Sequence, residues 1–137
     1  MGAPGDHAYS PGVTALSLLA FLGAGYTHQD GPWAKTVGRA LASLQSLQHA
    51  DGGISDYETV NFYNHAICTW ALAEAYALTR DENLKGPAQK GIDFLVEGQY
   101  RGGGWDYDFK DDPDLERNDT SIAGWAVMAM KSGQMGG

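Results

Sequence analysis

Seven acidic side chains crowd one short stretch of the chain: Asp106, Asp108, Asp111, Asp112, Asp114, Glu116 and Asp119. Asp106, Asp108, Asp112, Asp114 and Glu116 recur at spacing two, with a gap at residue 110, and carboxylates at such spacing suit calcium, a hard cation that takes oxygen ligands. An EF-hand loop needs glycine at its sixth position, where this chain has Asp111 if Asp106 is first. The stretch therefore reads first as a solvated charged loop, with calcium as the sharper alternative. His65 and Cys68 lie three residues apart and could share a helix face and a zinc ion. No second histidine or Asp–Cys pairing completes such a site. No Ser-His-Asp order, phosphate loop or basic stripe is present. The expectation is a chain without cofactor or resident metal.

Helices must position these groups. The spacing predicts five, at about Pro11 to Tyr26, Pro32 to His49, Asn64 to Thr79, Glu82 to Gln99, and Asp119 to Ser132. Ser10, Asp30, Asn64 and Asp119 are the expected caps. Pro87 falls inside the fourth, so a short turn from Glu82 to Lys85 is expected to precede its regular part. No stretch alternates long enough to demand a strand, and the reading is all-α. The loops from Ala50 to Tyr63 and from Gly102 to Asn118 are long for helix connections, and loops of that length commonly carry function. Both follow the same kind of turn and so lie at one end of the helix stack.

That turn repeats. Lys90 to Trp105 (KGIDFLVEGQYRGGGW) echoes Arg39 to Ile54 (RALASLQSLQHADGGI) fifty-one residues earlier. Gln48 matches Gln99, Gly52 matches Gly103, and Ile54 stands where Trp105 stands. With the same offset, Ala15 to Gly25 lies over Ala66 to Tyr76. With an offset of fifty-five, Ile122 to Met130 lies over Ile67 to Ala75, and Trp125 meets Trp70. A fixed period of this length signals stacked helical units. The chain reads as one domain, residues 1–137, with units at about 10–57 and 58–109 and an incomplete third at 119–137. Cys68 aligns with Ser17 and Ala123, small residues, which favours packing over metal binding.

The totals narrow the function. The chain has 137 residues and is 43% hydrophobic, enough for a core. Its net charge of −8 argues against nucleic acid and anionic membrane as partners. No apolar run is long enough to span a membrane. The N-terminus lacks the basic start and apolar run of a signal peptide, and the compartment stays open. One cysteine excludes an internal disulfide framework.

Lys90, Gly91, Phe94, Leu95, Gln99, Gly103 and Trp105 resemble the QW repeat of the squalene-hopene cyclase and protein prenyltransferase superfamily. Gln48 and Gly52 keep part of the pattern in the first unit. The resemblance covers about Val13 to Lys131 and is nearest to bacterial prenyltransferase and squalene-oxidase repeat proteins. It implies a partial α/α toroid of hairpins around a cavity, with the Gln and Trp latching one unit to the next. Five helices are too few to close such a ring. The expected partners are therefore the remainder of a toroid, or another protomer joined head to tail.

The resemblance also implies roles for particular residues. Tyr63, His65, Trp70 and Trp125 would line the cavity and face an apolar or isoprenoid ligand. Asp119 and Glu116 fit parts of the cyclase proton-donor motif, but Asn118 occupies the donor position itself. Asp119 reads first as the cap of the fifth helix, as Asn64 caps the third at the matching place. The leading expectation is a non-catalytic binding or scaffold module of a terpenoid-cyclase-like toroid. The alternatives are part of a cyclase acting on a polyprenyl substrate, and a carbohydrate-active toroid. The last would need carboxylates converging on one cleft.

Overall fold

The computed structural model describes residues 10–109 and 117–137, with Ser10 by its backbone alone. Among them are five helices and no strand: α1 (Ser10–Gly23), α2 (Ala34–Ser46), α3 (Phe62–Thr79), α4 (Glu82–Glu97) and α5 (Thr120–Gly136). The all-α reading holds. α3 is the hub and packs against α1, α4 and α5, while α2 pairs with α1. Almost every turn of α3 is buried, as expected of a helix with apolar or small residues all round. One core cluster joins Leu18 and Leu22 of α1, Leu41 and Leu44 of α2, Ile67 and Ala71 of α3, and Leu84 and Ala88 of α4. A second joins Phe62, Ala66, Phe94, Leu95 and Trp105 to Ile122, Ala126 and Ala129 of α5.

The helix ends depart from expectation in informative ways. α3 starts two residues early, because Asn61 and not Asn64 is the cap; its side chain accepts the Asn64 N–H at 3.3 Å. Asn61 has the extended backbone a cap requires, and Asn64 is already helical and buried. Asp30 does not cap α2. Its carboxylate is bonded to the Gly31 N–H at 2.6 Å, and α2 starts after Trp33 with no side-chain cap. α1 stops at Gly23, short of Tyr26, and Gly25 turns the chain with φ of 84°. α5 continues past Ser132 to Gly136. Asp81 caps α4 through the Asn83 N–H at 3.0 Å.

Pro87 does not divide α4, which runs unbroken from Glu82 to Glu97. Proline has no N–H for the carbonyl four residues back, here that of Asn83. Gln45 of α2 donates its side-chain amide to that oxygen at 3.2 Å. One turn on, Gln48 donates to the carbonyl of Pro87 itself at 2.9 Å. Two glutamines of the first hairpin thus serve the backbone of the second around its proline. Gly91 allows the other close approach: a Cβ there would lie 2.7 Å from Oγ1 of Thr69 on α3.

Arg80 ends α3 in the left-handed conformation, φ 56°, with its N–H on the Tyr76 carbonyl at 2.8 Å. Its guanidinium donates to the carbonyls of Met135 (3.1 Å) and Gly136. A cation therefore sits at the negative end of α5. No helix among the described residues is long and apolar enough to cross a membrane.

Candidate functional site

The two long loops meet at one end of the helices. The Phe62 N–H donates to the Tyr107 carbonyl at 2.9 Å, and the Asp119 N–H to the Trp105 carbonyl at 2.7 Å. Phe109 is carried onto Phe94 and Phe62, with ring centroids 5.2 and 5.8 Å apart. A cleft of about 490 Å³ opens there. Phe94, Phe109 and Val60 form its apolar wall; Asp51, Glu58, Glu97 and Asp108 bring carboxylates to its rim. A polar hollow of about 200 Å³ adjoins it, lined by Asp56, Tyr57, Asn61 and Asn64, and Asp108 borders both. Sequence reasoning placed the two loops at a common end. It missed Asp51 and Glu58 of the first loop and Glu97 at the end of α4, which follow no shared spacing.

The turns that enter these loops are fixed by backbone bonds. Gln99 donates to the Gly103 carbonyl at 2.8 Å within its own turn. Trp105 is buried and donates its indole N–H to the Leu95 carbonyl at 2.8 Å. Gln48 donates both to its own Gly52 (3.2 Å) and to Pro87 of the next hairpin. The expected latch is thus divided. The amide of Gln48 crosses to the next unit by hydrogen bonding, and Trp105 reaches α5 by burial against Ile122 and Ala126.

His65 does not face a cavity mouth; it is wholly buried. Its Nδ1 accepts the Ile54 N–H at 3.1 Å, which leaves Nε2 to donate to the Gly91 carbonyl at 3.1 Å. Both ring nitrogens therefore serve loop and helix backbone, a structural role. Desolvation lowers its pKa to about 4, opposed only weakly by the Gly91 carbonyl and by Asp51. Cys68 is buried too, and loss of solvent pushes its thiol up to about 12. A thiol so protonated is a packing group, in keeping with its small repeat partners.

Asp119 is the N-cap of α5. One carboxylate oxygen accepts the N–H groups of Ser121 (2.9 Å) and Ile122 (3.0 Å) and the Ser121 hydroxyl. The Ser121 hydroxyl and the Ile122 N–H hold its pKa below the usual carboxylate range. An ionised cap cannot deliver the acidic proton that the cyclase reading asked of it. Glu116 lies outside the described residues, as do Asp112 and Asp114 of the calcium set. Asp106 is paired with Arg117 at 3.2 Å. Among the described residues no group of three or more His, Cys, Asp or Glu is arranged to hold a metal. The described carboxylates do not fit a preassembled calcium site.

Tyr63, Trp70 and Trp125 do come together. Trp70 stacks on Trp125 (5.8 Å), Tyr63 meets Trp125 edge-on (6.3 Å), and Tyr107 stacks on Tyr63 (6.4 Å, planes 6° apart). The row runs from the space between α3 and α5 toward the cleft loops. Its last member, Tyr107, is 45% exposed. The indole N–H groups of Trp70 and Trp125 are buried without a hydrogen-bond partner.

The family model for pectic acid lyase matches residues 27–118, well over half of the chain and both loops of the cleft. The chain belongs to the pectic acid lyase family. No curated protein and no solved structure matches it. The family match overturns the resemblance to prenyltransferase and squalene-hopene cyclase repeats, and with it the terpenoid-module and polyprenyl-cyclase readings. The cause of that error is physical. The Gln, Gly and Trp positions that carried the resemblance close turns and cap helix ends in this structure. Such contacts follow from how hairpins stack and carry no information about the molecule that binds beside them.

Proposed function

We propose that this chain acts in the cleavage of pectic acid, a polyuronate, by elimination at the cleft between its two loops. The observation that carries the proposal is the family match over residues 27–118, which spans every carboxylate of the cleft rim. Elimination passes the proton on the carbon next to the uronate carboxylate to a base and expels the glycosidic oxygen one carbon further on, which takes up a proton and leaves as a hydroxyl. A double bond forms, and no water is consumed. The protein must hold the carboxylate, because pairing it with a cation makes the adjacent proton easier to remove.

We assign that task to Arg117. It belongs to the second of the two loops, outside the residues that line the cleft, and its guanidinium is more than half exposed and tethered to Asp106. Arginine suits a planar, two-pronged grip on a carboxylate. Tyr107, the exposed end of the aromatic row, offers a flat face for a sugar ring.

The rim carboxylates repel such a substrate. Each unit charge at 4 Å costs on the order of 1 kcal/mol in water, and salt screens it. Turnover is therefore expected to rise with ionic strength. The test incubates the protein with polygalacturonate and follows the ultraviolet absorbance of the unsaturated product over a salt series, with and without calcium. Arg117→Ala is expected to lower kcat/KM by about tenfold or more, with the loss of one charge-assisted contact. New reducing ends without that absorbance would indicate hydrolysis instead. No product under any condition sinks the proposal.

A further inference from the structure

The cleft does not suit every unit of a polyuronate equally. All four of its rim carboxylates are exposed. Asp51 accepts the Gly53 N–H at 3.0 Å. Glu58, Glu97 and Asp108 are in no ion pair among the described residues. No lysine or arginine among the described residues lines the cleft, and the described carboxylates form no group arranged to hold a metal ion. A free uronate lying there brings its negative charge among like charges. The wall offers something different. The rings of Phe94 and Phe109 meet with centroids 5.2 Å apart. Val60 and Phe94 both close over Gly53, where a Cβ would stand 2.6 Å from Val60 and 3.1 Å from Phe94. Val60 and Phe109 are half-buried, so apolar area stays open to a ligand.

We infer that the cleft takes a uronate whose carboxyl group is methyl-esterified, and that the substrate is a partly esterified pectic chain. The inference rests on the lyase reading and narrows it. Esterification removes the charge that the rim repels. It also adds a methyl group for the wall of Phe94, Phe109 and Val60 to bury. Thr59 lines the same cleft, and its hydroxyl is an uncharged donor suited to the ester carbonyl. The volume, about 490 Å³, is that of a small-ligand site. Arg117 lies outside this lining and keeps a separate task, the free carboxylate of another unit. The two positions share one loop, since Asp106, which holds Arg117, is two residues from Asp108 of the rim. Such a site discriminates by repelling the wrong unit as well as by holding the right one.

The experiment measures binding of oligogalacturonates of matched length, free or partly methyl-esterified, by calorimetry at low salt with a chelator present. Polygalacturonate and pectins of graded ester content are then compared for the unsaturated product. The esterified set is expected to bind about tenfold more tightly, and the ratio to shrink in high salt. Turnover is expected to peak at intermediate ester content, because full esterification leaves Arg117 no carboxylate. Glu58→Gln combined with Glu97→Gln is expected to lower the binding ratio to about threefold or less, by strengthening the free acid. Phe109→Ala is expected to weaken the esterified set alone. If that variant unfolds, the exposed glutamine pair decides. Equal or tighter binding of the free set at low salt overturns the inference, and so does a ratio that the glutamine pair leaves unchanged. Cleavage of polygalacturonate in either case leaves the lyase reading standing. If neither set binds and no polymer yields product, both fall.

Discussion

The two Gln-containing turns are close in sequence and different in work. In the first, Gln48 spans the boundary between hairpins and Ile54 is pinned by His65. In the second, the Gln99 amide closes its own turn, and Trp105 fastens to the preceding helix end while its ring is buried against α5. The first turn joins its neighbour through a side-chain amide, the second through a buried indole ring and the Trp105 carbonyl, which accepts the Asp119 N–H. One sequence pattern thus supports two ways of linking units, and the choice depends on whether Ile or Trp follows the glycines.

The difference can be tested from its largest effect downward. Trp105→Ala is expected to cost about 3–5 kcal/mol in denaturant unfolding, from the cavity and the stranded Leu95 carbonyl. A cost near 1 kcal/mol would show that the second turn does not depend on burial. His65 gives the first turn a pH signature that the second lacks. Its folded pKa, about 4, lies below the unfolded value. The unfolded chain therefore binds more protons between about pH 6.5 and pH 4, and stability falls as pH drops through that window. The loss should approach roughly 3 kcal/mol at 1.4 kcal/mol per unit. Urea melts at pH 7 and at pH 4 measure it, and His65→Gln should flatten the slope. Smallest is the contrast between the two amides. Gln48→Ala should cost about 1–2 kcal/mol, because its amide bridges the Gly52 and Pro87 carbonyls of two units, and Gln99→Ala less. Equal losses would erase the distinction.

Much of this architecture was legible in the residues. The repeat offsets set Ile122 over Ile67, and both are buried on the inward faces of their helices, because a helix face has a period that letters reveal. Asp119 was legible as a cap for the same local reason. The cleft was not legible, since Asp51, Glu58, Glu97 and Asp108 converge only after the chain has folded. His65 shows the opposite failure: a histidine at a helix start suggests a site, yet its two nitrogens are both consumed by backbone. Periodicity states which face is inward. It does not state which loop carbonyl or N–H awaits each polar atom there.

The proline in α4 has a consequence for assembly order. A helix missing one internal bond is a poor structure alone, and the vacancy at Asn83 is satisfied only when Gln45 arrives. Gln48 lies one turn away and engages only at the same alignment. The defect therefore works as an address: only one alignment of the two segments sets both glutamines on their carbonyls, and a one-turn slip leaves the amide of one of them without its oxygen.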